Sequence, residues 1–209
     1  MKNQVQELIE KGTVLPLMEA FYTVQGEGFH QGTAAYFIRL GGCDVGCHWC
    51  DVKESWDAQL HPPTAIETIV EAASFPSDVV VVTGGEPLMY NLDPLTGLLK
   101  KKGKRTHIET SGAHPLSGAW DWVCLSPKKR KLPQEEVYEA ANELKVVVYN
   151  NDDFRFAREQ AAKVSSDCRL FLQPEWSRQH EMKDRIVDFI KEHPEWKISL
   201  QTHKYLEIP

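Results

Sequence analysis

Short runs rich in β-branched apolar residues alternate along this chain with segments whose apolar positions recur at helical spacing. The first kind predicts strands over Ala35–Leu40, Val79–Thr83, Thr106–Glu109, Trp122–Leu125, Leu144–Tyr149, Arg169–Gln173 and Ile198–Thr202. The second predicts helices over Thr64–Phe75, Asp93–Lys101, Asp153–Val164 and Met182–Glu192, with a weaker one at Glu135–Ala141. In the helix at Met182–Glu192, Ile186, Phe189 and Ile190 fall on one face. Strand–helix alternation implies parallel strands joined by right-handed crossovers, hence an α/β fold. The connection from Glu109 to Trp122 is too short for a full helix. The expectation is a reduced, partial TIM-like (β/α) barrel of about six to seven mostly parallel strands. No repeat or low-complexity linker divides residues 1–209, so we expect one domain, with 1–17 as an N-terminal extension.

The segments just after the predicted strands are chemically able and often glycine-rich. Gly41-Gly42-Cys43 comes after the first, Thr83-Gly84-Gly85-Glu86-Pro87 after the second and Glu109-Thr110-Ser111-Gly112 after the third. Ser126-Pro127-Lys128 comes after the fourth, Gln173-Pro174-Glu175 after the sixth and Thr202-His203-Lys204 after the last. In parallel α/β folds the carboxyl ends of the strands carry the active site. These segments are therefore expected to form one site.

Composition narrows the class. The chain of 209 residues is 42% hydrophobic and 26% charged, ordinary for a globular protein. A net charge of −6 argues against gripping a phosphate backbone, so no nucleic-acid partner is expected. Apolar runs such as Val79–Val82 are far too short to span a membrane, and the first residues hold no apolar signal segment. Five cysteines, mostly clustered, do not suit an extracellular disulfide framework; the expected compartment is the cytoplasm.

Three of those cysteines, Cys43, Cys47 and Cys50, lie within eight residues in the spacing C-x3-C-x2-C. A disulfide would leave one thiol over. Zinc usually takes four ligands, and the nearby fourth is His48. Three thiolates suit a 4Fe–4S cluster with one iron open to a small molecule. Cys124 and Cys168 sit at predicted strands and are expected to be core residues. Adjacent glycines at Gly84-Gly85 let backbone approach a ligand closely. Gln25 and Glu27 have the donors and acceptors for a purine-like or pterin-like edge, and Arg39 offers a planar fork to a carboxylate.

The cysteine loop with the Gly84-Gly85-Glu86-Pro87 turn resembles the radical S-adenosylmethionine superfamily. Further motifs resemble one of its families, the 7-carboxy-7-deazaguanine synthases: F-x-T-x-Q-G-E-G at Phe21–Gly28, R-x3-C-x3-C-x2-C at Arg39–Cys50, Thr83–Pro87, Glu109–Gly112, Ser126–Lys128, Gln173-Pro174, and Thr202–Lys204 with the Ile208-Pro209 end. The resemblance runs from about Glu19 to Pro209. It implies a lyase that uses a 4Fe–4S cluster and S-adenosylmethionine to convert 6-carboxy-5,6,7,8-tetrahydropterin to 7-carboxy-7-deazaguanine with loss of ammonia, in queuosine and other 7-deazapurine biosynthesis. By the same resemblance Cys43, Cys47 and Cys50 hold the cluster. Trp49, Cys50, Asp51, Gly84, Gly85, Glu86, Glu109, Ser111, Ser126, Pro127, Lys128 and Gln173 border S-adenosylmethionine. Val24, Gln25, Gly26, Glu27, Arg39, Thr83, His203 and Pro209 form the pterin site. A flavodoxin or ferredoxin-type electron donor and a homodimer are implied as well.

The chain departs from the family at Val52. The family has there a Thr or Ser that binds magnesium, and valine has no side-chain oxygen. Magnesium could be held through substrate oxygens and water, bind weakly, or be replaced by a protein cation such as Lys53. Two other readings fit part of the pattern: an activase-like radical enzyme that acts on a protein glycine, and a non-catalytic iron–sulfur or zinc protein.

Overall fold

The computed structural model describes residues 4–209. Seven helices and nine strands run along the chain in the order α1 (Gln4–Glu10), β1 (Val14–Val24), β2 (Ala34–Leu40), β3 (Pro63–Ala65), α2 (Ile66–Ala72), β4 (Val79–Gly84), α3 (Asp93–Lys101), β5 (Arg105–Thr110), β6 (Trp122–Leu125), α4 (Glu135–Ala140), β7 (Glu143–Val148), α5 (Asp152–Ala161), β8 (Arg169–Pro174), α6 (Gln179–Glu192), β9 (Trp196–Ile198) and α7 (Thr202–Leu206). They form one sheet in the order β3-β1-β2-β4-β5-β6-β7-β8-β9. From β2 to β9 every pairing is parallel, and β1 and β3 add an antiparallel edge. No helix among the described residues is long and apolar enough to cross a membrane.

The alternation of side chains along each strand sorts the sheet into two faces. The outer face carries Ile38, Leu40, Val80, Val82, Ile108, Leu125, Leu144, Val146 and Leu172. These pack in one cluster with Ile69 of α2, Leu95 and Leu99 of α3, Val137 of α4, Ala157 of α5, and Met182 and Ile186 of α6. A separate cluster, Ala35, Phe37, Val79 and Val81 with Phe21 against it, lies on the opposite face of β2 and β4. The large number of fully buried aliphatic residues between sheet and helices is the main stabilising store, at about 25 cal/mol per Å² of apolar surface removed from water.

The sheet does not close by a ladder between its edges. The segment from Gln25 to Thr33, joining β1 to β2, instead reaches across to β6, β7 and the residues just after β9. Because β1 runs antiparallel to β2, this segment hangs at the amino ends of the parallel strands. On one side Phe29 stacks on Trp122, with ring centroids 5.0 Å apart, and the Phe29 amide and the Trp122 indole both donate to Glu143 Oε2. On the other side the Gly28 amide donates to Ser199 Oγ at 2.9 Å, and the Thr202 amide to the Gly26 carbonyl at 3.0 Å. The segment is thus a floor to the partial barrel, opposite the end that carries the chemistry.

Three features differ from the sequence expectation. Val14–Leu17, assigned to an extension, begin the eleven-residue strand β1; residues 1–3 lie outside the described residues. The run Thr64–Phe75 divides into the short strand β3 and the helix α2. The last strand is Trp196–Ile198, not Ile198–Thr202, and Thr202–Leu206 is helical. The Ser199 amide still donates to Leu172 in β8, but the Thr202 amide is taken by Gly26 of the floor. The chain leaves the sheet there because its next donors have been claimed by another element.

Candidate active site

At the carboxyl ends of the strands lies a cavity of about 340 Å³, within the range for small-molecule sites. Its rim is the cysteine loop. Cys43, Cys47 and Cys50 all line it, partly exposed and free of disulfides. Burial pushes the Cys43 thiol up from its ordinary pKa, against backbone amides of Val45 and Gly46 that favour its thiolate. Burial also raises Cys47, while Lys128 opposes it. Among the described residues no three His, Cys, Asp or Glu side chains converge as a single ion would require. A cubane takes one thiolate per iron, so its ligands can stand apart. His48, the fourth ligand of the zinc reading, packs edge-on against Tyr149 with centroids 4.9 Å apart and is not part of the lining. Three thiols without that histidine fit a cluster with one open iron. Cys124 and Cys168 are buried.

The glycine turn after β4 is bound to the start of this loop. The Gly85 amide donates to the Leu40 carbonyl and the Glu86 amide to the Gly42 carbonyl, each at 2.9 Å. A Cβ on Gly85 would lie 2.2 Å from the Gly42 oxygen. The close approach that requires glycine is therefore to the cysteine loop itself. Gly84 and Gly85 still border the cavity, as do Glu109, Ser111, Ser126, Lys128, Gln173, Trp49 and Asp51. Two residues expected beside them do not. Glu86 is buried, and its carboxylate accepts from the Leu88 amide, the Thr110 hydroxyl and the Ser111 amide and hydroxyl, so it fastens the loop after β5 rather than facing a ligand. Pro127 is also absent from the lining, which takes its neighbours Ser126 and Lys128 instead. Lys128 folds back, donating to Ser126 Oγ at 2.7 Å, and lies 5.7 Å over the Trp49 ring.

Deeper in the cavity the floor supplies Val24, Gln25, Gly26 and Glu27. Arg39 and Thr83 are register partners on β2 and β4. Arg39 Nε lies 2.7 Å from Glu19 Oε1, yet that nitrogen makes no hydrogen bond, and the guanidinium sits over the Phe21 ring at 5.8 Å. Its fork is thus held in place with capacity left over. His203 lines the cavity from α7 rather than from a strand, and its ring occupies the space a side chain at Gly26 would need, with Nδ1 2.3 Å from the Cβ position. Burial lowers its pKa. Pro209 and Val52 line the same space. Lys53 does not: its ammonium lies 6.0 Å over the Trp56 ring.

Two residues of the site, Lys145 and Gln201, belong to no motif of the chain. Lys145, on β7, ion-pairs with Glu27 and lies 3.6 Å from Glu109. Gln201 donates to Glu27 at 2.9 Å and Gln25 to Glu109 at 2.8 Å, while the Glu27 amide donates back to the Gln25 side-chain oxygen at 3.0 Å. Burial pulls the Glu27 carboxyl up, but the Lys145 charge and the hydrogen bonds from Lys145 and Gln201 outweigh it and hold the pKa down to about 2. Burial lowers Lys145, and Glu109 and Glu27 together lift it well above the lysine range. A lysine interrupting the apolar run Leu144–Tyr149 was the available signal.

A barrel mouth ringed by three thiols, a glycine turn fastened to them and a polar floor define a radical S-adenosylmethionine protein, and the pattern of the Radical SAM superfamily matches residues 37–149. The chain is 62% identical over 209 residues to the 7-carboxy-7-deazaguanine synthase of Flavobacterium psychrophilum, covering 100% of both. It is 50% identical over 194 residues to the enzyme of that name from Synechocystis, covering 92% of this chain and 93% of the other. The crystal structure of QueE from Escherichia coli superposes with a TM-score of 0.79 at 29% identity, covering 96% of this chain and 99% of that one. The chain belongs to the 7-carboxy-7-deazaguanine synthase family.

Proposed function

We propose that this chain converts 6-carboxy-5,6,7,8-tetrahydropterin to 7-carboxy-7-deazaguanine with release of ammonia, within queuosine or related 7-deazapurine synthesis. One observation carries this reading: a single cavity joins the three thiols at its rim to Gln25, Glu27 and Arg39 below them. Held there by Cys43, Cys47 and Cys50 and the residues beside them, the cluster and S-adenosylmethionine would supply radical chemistry for hydrogen abstraction at C6 of the pterin.

The chain's own part is positioning and exclusion. Cys43, Cys47 and Cys50 hold the cluster. Gly84, Gly85, Glu109, Ser111, Ser126, Lys128 and Gln173, with Trp49 and Asp51, border S-adenosylmethionine. Gln25, Gly26 and Glu27 take the pyrimidine edge of the pterin, with Val24 and Thr83 beside it. Arg39 takes the carboxylate at the other end, so two anchors leave one carbon facing the radical. His203 and Pro209 complete the wall and keep water away. Magnesium has no side-chain oxygen at Val52, and no step is assigned to it. A flavodoxin or ferredoxin-type protein is the electron donor in this reading, with a homodimer in the cytoplasm as the working form.

The test is anaerobic assay of the reconstituted chain with the carboxylated tetrahydropterin, S-adenosylmethionine and dithionite. The expected result is an ultraviolet-absorbing deazaguanine acid with one ammonia per product. Iron incorporation without product would overturn the reading.

A further inference from the structure

Lys145 is the one lysine in the cavity that is both almost wholly enclosed and flanked by two acids. Its side chain is 5% exposed, and those of Glu27 and Glu109 are 13% and 24% exposed. Burying an ammonium is costly unless it is paired. Here the partners come from different elements: Glu27 from the floor and Glu109 from β5. The other groups that act on the pair are Cys124 on β6, Glu143 on β7 itself, Gln201 and His203 from the C-terminal segment, and Lys128 after β6.

The bonding pattern leaves Glu27 one role, with Glu109 holding Gln25 beside it. Glu27 Oε2 accepts from Lys145 and Oε1 from Gln201, and Glu109 Oε1 accepts from Gln25. An ionised carboxylate only accepts hydrogen bonds, with about four lone-pair sites, so Glu27 keeps acceptor capacity toward the cavity. Without a cation, burial favours the neutral acid, which carries an O–H donor. The amide of Gln25 is fixed too, since its nitrogen donates to Glu109 and its oxygen accepts from the Glu27 amide.

We propose that Lys145 is a positioning residue that sets the hydrogen-bonding polarity of the cavity floor. Ion-paired with Glu27 and 3.6 Å from Glu109, it keeps Glu27 an acceptor only, so the floor takes a heterocycle edge with adjacent N–H donors and rejects one with a carbonyl there. This rests on the reading of the cavity as a pterin site. It assigns discrimination between a 2-amino and a 2-oxo ring to a residue that need not touch the ring.

The experiment is anaerobic calorimetric titration of the reconstituted holoenzyme with 6-carboxytetrahydropterin and with its 2-oxo analogue, from pH 6 to 9. The unsubstituted chain is expected to prefer the amino compound by about 100-fold or more, because the oxo ring leaves buried acceptors unpaired. Lys145→Met is expected to cut the preference below about tenfold. Its pterin binding is also expected to strengthen with rising pH relative to the unsubstituted chain, since Glu27 must then ionise unaided. Lys145→Arg keeps the cation and is expected to keep the preference. A merely structural lysine would weaken both ligands equally and leave the pH profile unchanged, and that result overturns the proposal. If Lys145→Met does not fold, Lys145→Met/Glu27→Gln removes both charges; a preserved preference in it overturns the proposal equally. Failure of the unsubstituted chain to bind or turn over the pterin defeats the underlying reading, whereas turnover with unaltered discrimination in the variants defeats the role of Lys145 alone.

Discussion

The two halves of the barrel interior are built from the same parallel strands and differ in almost everything else. On β2 and β4 the buried inner face is Ala35, Phe37, Val79 and Val81, closed over by Phe21, whose ring stacks on Phe37 at 5.4 Å, with Arg39 and Thr83 following on the same face at the cavity. From β5 to β8 the buried residues off the helix-packed face are His107, Cys124, Glu143, Lys145, Phe171 and Gln173, with the less buried Glu109 among them; all but Phe171 and Cys124 are polar or charged. The helix-packed face is apolar in both halves. The contrast separates two duties that strand patterning alone confounds. The apolar part of the inner face supports a flat ring, and in that half only Arg39 and Thr83, at the carboxyl ends of β2 and β4, offer it polar groups. A charged inner half directs a ligand by hydrogen bonds, and must first satisfy its own buried charges.

That contrast gives an ordered set of tests. The largest effect is expected in the charged half. Lys145→Met leaves Glu27 and Glu109 without their cation and is expected to lower stability by about 3–5 kcal/mol. Adding Glu27→Gln should recover much of it. Thermal unfolding of the single and double variants measures this, and equal losses in both would remove the ion pair from the account.

In the apolar half, Phe37→Ala is expected to cost about 3 kcal/mol through lost burial and the space it leaves. The loss should be the same from pH 5 to 9, because no charge is involved. Denaturant unfolding at the two ends of that range would expose any hidden coupling to the acids.

His107 sharpens the comparison through pH. Burial lowers its pKa to about 4, with His30 and Arg105 adding to the effect. The unfolded chain takes up a proton below about 6.5, while the folded chain does not until about 4. The unfolded state thus binds more protons in that window, and stability falls as pH drops through it. His107→Gln should remove part of the fall, by up to about 3 kcal/mol between pH 6.5 and 4. An unchanged slope in melting temperature would assign the acid sensitivity elsewhere.

The smallest effect is expected at Val52. Activity of the chain as it stands should be insensitive to magnesium, and Val52→Thr should introduce a response without altering the fold. Assay with and without the ion decides it.

How much of this the sequence disclosed divides along the same line. Strands that are apolar on both faces, such as Val79–Val82, were visible as unbroken runs. The helix Asp93–Lys101, with proline in its first turn, matched residue for residue. β1 was hidden because it is neither apolar throughout nor strictly alternating, and it joins β2 through a long floor segment without a tight-turn signal. The end of the last strand was misplaced because the Thr202 backbone donor was captured by Gly26, a contact between residues 176 positions apart that no local pattern encodes. The cysteine spacing named its chemistry from eight residues. Lys145 did not, since its role depends on acids supplied from two distant segments.

The central claim is that the charged floor takes the pyrimidine edge of a carboxylated pterin while Arg39 takes the carboxylate. An anaerobic crystal structure of the cluster-loaded chain with S-adenosylmethionine and 6-carboxytetrahydropterin tests it most directly. The account predicts the ring's N–H edge on Glu27 and Gly26 and its carboxylate on Arg39. A pterin bound with that edge toward Arg39, or outside the cavity, would contradict it.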